Sequence, residues 1–137
     1  MSKELIITID VKNWNKIYEF ITKYFKTNGL PIKSIFGILI SSEEIFSNIV
    51  RHSHSEAREE VFISANYEYL EKTVSVVFKY GGVEFNPLNK ESPDVSLPPY
   101  KRRLGGLGLL IVKNFTDKFT YKYSGGKNIV EISKKVI

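Results

Sequence analysis

The sequence has no cysteine, one tryptophan, one methionine and two histidines in 137 residues. Without cysteine there is no disulfide framework and no thiolate zinc site, and the composition fits a reducing compartment. No apolar run approaches the roughly 18 residues that a membrane-spanning helix requires. The N-terminus lacks the basic-then-apolar pattern of an export signal, so a cytoplasmic address is the expectation. His52 and His54 have no third ligand in view and do not make a zinc site. Internal repeats, low-complexity tracts and linker-like stretches are also lacking, so residues 1–137 are expected to form one domain.

What is there suits a globular protein. The hydrophobic fraction is 42% and the charged fraction 26%, which excludes wholesale disorder. Twenty Lys and Arg against fifteen Asp and Glu give a net charge of +5, which raises the question of a nucleic-acid partner. Sixteen of those cations are lysines spread over the chain, and neither a helix-turn-helix nor an RNA-binding aromatic motif is present. Direct nucleic-acid binding is therefore not expected.

Hydrophobic period divides the chain. Glu4 to Asp10 is a short β-branched run and reads as a strand. Trp14, Ile17, Tyr18, Ile21, Tyr24 and Phe25 recur at three and four, which predicts a helix from Val11 to about Asn28, stopped by Gly29 and Pro31. A second helix is predicted from about Ile32 to Arg51. Val61 to Tyr69 and Thr73 to Tyr80 alternate as strands joined at Tyr69–Lys72. Residues 81–105 carry four of the five prolines and no period. Gly105 to Phe115 returns to helical spacing, and Lys118–Tyr123 and Asn128–Lys134 alternate around Ser124-Gly125-Gly126-Lys127 as a hairpin. The order β-α-α-β-β-α-β-β predicts an α+β fold: a two-layer α/β sandwich whose mixed, mostly antiparallel sheet is covered by helices on one face.

Three segments carry candidate chemistry. In the second helix, Glu44, Asn48, Arg51 and His52 fall within an arc of about 100° at 100° per residue, opposite Ile35, Ile38, Ile45, Phe46 and Ile49. Such a face suits solvent, or it lines a cleft in which a carboxylate works on a proton and an amide oxygen ligates a hard cation such as magnesium. Arg102-Arg103-Leu104-Gly105-Gly106-Leu107-Gly108 places glycines at a helix entrance behind two arginines. That pattern suits a flexible loop, or a cradle in which backbone N–H groups and guanidinium groups meet phosphate oxygens. Tyr80-Gly81-Gly82-Val83-Glu84-Phe85-Asn86-Pro87-Leu88 follows a strand directly, and Gly82 permits either a plain turn or a close ligand approach.

In this order the segments resemble the ATP-binding domain of the GHKL superfamily, and in particular its small bacterial anti-sigma-factor serine/threonine kinases. The resemblance spans nearly the whole chain and implies the histidine kinase-like ATPase fold. Glu44-x-x-x-Asn48 with Ile49-Val50-Arg51-His52 looks like the N box. It implies Glu44 as catalytic base and Asn48 as the magnesium-holding, nucleotide-binding amide. Gly105-Gly106-Leu107-Gly108 looks like the second glycine box, which implies that these residues wrap a triphosphate beneath a lid at residues 89–104, with Arg102 or Arg103 on the phosphates. Val83 to Leu88 resembles the tail of the first glycine box. There Gly82 is matched, but Tyr80 stands where the family has the aspartate that accepts a hydrogen bond from the adenine amino group. The resemblance implies ATP and Mg²⁺ as cofactors, an anti-anti-sigma-like protein substrate, a sigma factor as further partner, and a homodimer. Because a phenol is bulkier than a carboxylate and neutral at pH 7, a non-catalytic partner-binding module stands beside the kinase as the alternative.

Overall fold

The structure, a computed structural model, describes residues 2–52, 59–88 and 105–136. Strand β1 (Lys3–Thr8) leads into a single 3₁₀ turn at Val11–Asn13, whose start is capped by Asp10 Oδ1 accepting from the Lys12 N–H at 2.9 Å. Helix α1 (Trp14–Thr27) buries Ile17, Ile21, Tyr24 and Phe25, the apolar positions at three-and-four spacing. It stops where Gly29 takes φ +83°, with the Gly29 N–H bonded to Lys26 O and the Leu30 N–H to Phe25 O at 3.0 and 2.9 Å. This pair of bonds satisfies carbonyls the last turn would otherwise leave open.

The second helix differs at its start from the expected one. Pro31 is extended and its carbonyl accepts from the Ser34 N–H at 3.0 Å, so Ile32–Ile35 form a 3₁₀ turn and helix α2 runs from Phe36 to His52. Helix α3 (Gly105–Phe115) packs across the first turn of α2. A Cβ built on Gly37 would sit 2.5 Å from the Phe115 carbonyl oxygen, so a glycine is needed at this crossing. Gly37→Ala is expected to cost about 1–3 kcal/mol through the backbone shift it forces, read as a lower midpoint of chemical unfolding.

Strands β2 (Glu60–Glu68), β3 (Thr73–Tyr80), β4 (Lys118–Ser124) and β5 (Lys127–Lys135) join β1 in one sheet of order β1-β2-β3-β5-β4. The sheet expected to be mostly antiparallel is antiparallel at all four of these pairings. The β4–β5 hairpin turns on Gly125 and Gly126, both at positive φ, the backbone that a right-twisted two-residue turn demands. Inward positions alternate along each strand: Val61, Ile63 and Ala65, then Val74, Val76 and Phe78, then Val130 and Ile132, all buried. Against them pack Ile17, Ile21 and Phe25 of α1 and Ile38, Ile45, Phe46 and Ile49 of α2, giving the two-layer α+β sandwich. Each fully buried side chain of this size is worth about 1.5–3 kcal/mol in apolar transfer.

One consequence of the strand order positions the site. Because β5 lies between β3 and β4, the last residue of β3, Tyr80, pairs directly with Asn128 at the start of β5. The chain leaving β3 then passes over the C-terminal half of α2.

Candidate functional site

On α2 the polar arc faces that crossing chain. Asn48 is buried, and its Nδ2 donates to the carbonyl of Pro87, 39 residues away in sequence, at 3.0 Å. Its Oδ1 accepts from Arg51 Nη2. The same Arg51 nitrogen stands 3.9 Å from Glu44 Oε1, so acid, amide and guanidinium form one string along the helix. Along this face Asn48 is buried, Glu44 and His52 are half-buried and Arg51 is exposed. Burial pushes the Glu44 carboxyl above its ordinary range, and Glu43 adds to that; Arg51 and the hydrogen bond with Asn48 pull against it without cancelling it. Glu44 opens onto a cavity of about 600 Å³, bounded also by Trp14, Asn15, Ser47 and, from α3, Ile111.

Past Asn48 the arc continues to His52, whose ring stacks on Phe85 at 4.1 Å between centroids and 24° between planes. Phe85 belongs to a tight loop rooted at Tyr80. Gly82 takes φ +88°, which lets the loop double back so that the Tyr80 hydroxyl donates to the Phe85 carbonyl at 2.7 Å. Tyr80 is buried, and both that burial and nearby Tyr121 push its phenol up, so it stays neutral across the physiological range.

The loop is pinned from below by Asn128, which is fully buried. Its Oδ1 accepts from the Phe85 N–H at 2.8 Å and from the Tyr121 hydroxyl at 2.6 Å. Its Nδ2 faces the carbonyls of Tyr80, Gly81 and Val83 at 3.2–3.3 Å. Tyr123 adds an outer clasp, its hydroxyl donating to Gly82 O at 3.3 Å. Under this loop lies a second cavity of about 430 Å³, lined by Ile9, Ile49, His52, Glu59, Tyr80 and Gly82 among others. Asn128 and Glu59 were not singled out by the sequence reading. A signal existed for Asn128: it shares strand parity with inward-facing Val130 and Ile132, where a polar side chain must find partners.

The predicted site residues thus fall into two neighbouring groups. Glu44 and Asn48 lie together on α2, while Tyr80 and Gly82 lie on the far side of the Asn48–Pro87 bond, around the second cavity. Gly105, Gly106, Leu107 and Gly108 form the first turn of α3. Arg102, Arg103 and the lid at residues 89–104 lie outside the described residues.

Comparison with known proteins bears on what this arrangement is for. A sequence model of the histidine kinase-like ATPase domain matches residues 7–134. The chain belongs to that family. Its relatives include the serine-protein kinase RsbW of Staphylococcus aureus, from strain bovine RF122 / ET3-1 and from strain MRSA252. Each is 28% identical over 109 residues, covering 74% of this chain and 67% of the relative. A crystal structure of the RsbU and RsbW domains of Rv1364c from Mycobacterium tuberculosis superposes with a TM-score of 0.70 over 99% of this chain. At 9% identity that likeness speaks for the fold alone, and the chain spans 32% of that larger protein. Among the described residues no helix is long and apolar enough to cross a membrane.

An ATPase family implies a nucleotide, and the residues present fit one. The second cavity has the size of a small-ligand site, with Ile9, Ile49 and Phe85 as apolar walls for a flat base. Among the described residues no group of three or more His, Cys, Asp or Glu side chains converges to cage a metal. Asn48 Oδ1 instead offers one hard oxygen, which here accepts from Arg51 Nη2. One such oxygen is compatible with Mg²⁺, which is commonly held by one or two protein oxygens together with substrate phosphates.

Proposed function

We propose that this chain is an ATP-dependent regulatory kinase of the anti-sigma-factor type, which transfers the γ-phosphoryl group to a serine or threonine of an anti-anti-sigma partner. The observation that carries the reading is the string Glu44–Arg51–Asn48 on α2. It combines a half-buried carboxyl of raised proton affinity with an amide oxygen one turn away, beside an open cavity. Phosphoryl transfer asks little covalent chemistry of a protein, chiefly positioning and charge neutralisation. Glu44 takes the proton of the attacking hydroxyl, and its raised proton affinity brings it closer to neutral pH, where a general base works best. Asn48 Oδ1, which here accepts from Arg51, would hold Mg²⁺, and the bound ion would supply charge neutralisation on the phosphate oxygens. Tyr80 and Gly82 border the base, and Gly105 to Gly108 with Arg102 and Arg103 bind the phosphates. The serine-protein kinase function carried in the relatives' name supports the substrate class, and the resemblance to anti-sigma kinases supports a cytoplasmic homodimer that also contacts a sigma factor.

A second reading has its own observation. The Tyr80 hydroxyl is committed to the Phe85 carbonyl, so position 80 presents no carboxylate to an adenine. This favours a partner-binding module that works by sequestration without nucleotide. Calorimetric titration of the full chain with Mg-ATP and with Mg-ADP separates the two. The kinase reading expects saturable binding at one nucleotide per chain, whereas no heat at millimolar nucleotide leaves only the module.

A further inference from the structure

Tyr80 poses a chemical problem that the cavity itself answers. Its ring forms part of the cavity wall, but its hydroxyl is turned to Phe85 O and its phenol stays protonated. A base seated there would find no acceptor at position 80 of the kind a carboxylate provides. The cavity lining carries two carboxylates, Glu59 and Glu84, beside the imidazole of His52. Glu59 lies just before β2, and its carbonyl accepts from the Ile9 N–H at 2.8 Å, which ties this short stretch to the end of β1. Because β2 and β3 pair with Val61 against Tyr80, Glu59 lies opposite Gly82 just beyond the paired strand ends. A Cβ built on Gly82 would lie 3.7 and 3.8 Å from the two Glu59 carboxylate oxygens, so both oxygens face the bare glycine backbone at the loop's tightest point. Ile9, Ile49 and Phe85 give the cavity apolar walls for anything flat that enters, with Glu59 as a polar group at its rim.

We infer that Glu59 is the base-reading residue of this site, accepting a hydrogen bond from the exocyclic amino group of the adenine and so taking over the part that Tyr80 cannot play. The inference rests on the nucleotide reading above and names the residue that gives it specificity. An ionised carboxylate is an acceptor only, so it rewards a base that presents an amino group and gives nothing to the same ring without one. Glu59 is exposed at the cavity rim, so its replacement leaves the core untouched.

The test is calorimetric titration of the full-length wild type, Glu59→Ala and Glu59→Gln with two probes: Mg-ATP, and the Mg complex of purine riboside triphosphate, which lacks the 6-amino group. Wild type should prefer ATP by about tenfold or more, the range of a hydrogen bond to a charged group. Glu59→Ala should lose that preference by weakening ATP alone, and Glu59→Gln, with its neutral acceptor, should fall between. Circular dichroism establishes that each variant keeps its fold. Equal affinity of wild type and Glu59→Ala for ATP overturns the inference, as does a loss that strikes both probes alike. A wild type that binds neither probe overturns the nucleotide reading with it, and one that binds both equally overturns only the role of Glu59.

Discussion

Asn128→Ala should lower the unfolding free energy by about 3–5 kcal/mol, among the largest effects a single side chain can have here. The wild-type amide is fully buried and meets five partners: one N–H, one hydroxyl and three carbonyls. An alanine removes all five at once and replaces them with an apolar methyl group. The orphaned groups stay buried at the root of the 80–85 loop, and each unsatisfied polar group costs about 1–3 kcal/mol unless water reaches it. Relaxation of the loop recovers part of that sum, which is why the expected total is below five times the single cost. Asn128→Asp keeps the oxygen acceptors but loses the Nδ2 donor that faces Tyr80, Gly81 and Val83, so it should be destabilised as well. Denaturant unfolding of both variants checks the size. Hydrogen exchange at the Phe85 amide checks the place, because that N–H loses its acceptor in the alanine variant and should exchange faster than in wild type.

Glu44→Ala should reduce phosphotransfer by about 10²–10⁴-fold, the usual worth of a positioned general base. Nucleotide affinity should change far less, because Glu44 opens onto the Trp14–Ser47–Ile111 cavity and not onto the one beneath Tyr80 and Gly82. Stability should also hold or rise slightly. A carboxyl whose folded-state proton affinity is raised disfavours the folded state at pH values above that raised value, where it must carry its charge half-buried. Removing it lifts that penalty but leaves Arg51 with Asn48 as its remaining partner on the helix. Single-turnover transfer measured beside nucleotide binding separates the two effects. A variant that transfers as wild type does would show that Glu44 is not the base.

Much of this architecture is legible from one sequence because period encodes environment. Alternation along residues 73–80 and 127–135 marks the inward face of two central strands, and three-and-four spacing marks the buried stripe of α1. The arc of Glu44, Asn48, Arg51 and His52 follows from helical geometry alone. What closes over that arc does not. The Pro87 carbonyl reaches Asn48, and Phe85 reaches His52, across a long stretch of chain, so these contacts exist only once β3 and α2 are side by side. Tyr80 shows the same limit: the residue type says that a carboxylate is missing, but the direction of its hydroxyl depends on how Gly82 bends the loop. Glu59 sits in a charged run with no periodic signal, and only the pairing of β2 with β3, in which Val61 meets Tyr80, brings it to Gly82. The start of α2 belongs with these cases, since the proline carbonyl that tightens Ile32–Ile35 into a 3₁₀ turn is a local preference that an apolar period does not register.

The most direct measurement is phosphoryl transfer by the full chain, given Mg²⁺, ATP labelled at the γ-phosphate and an anti-anti-sigma-type protein from the same organism. The account predicts label on a serine or threonine of that protein with an equal amount of ADP formed, and little label when the enzyme carries Glu44→Ala. Saturable ATP binding with no label on the partner would contradict it.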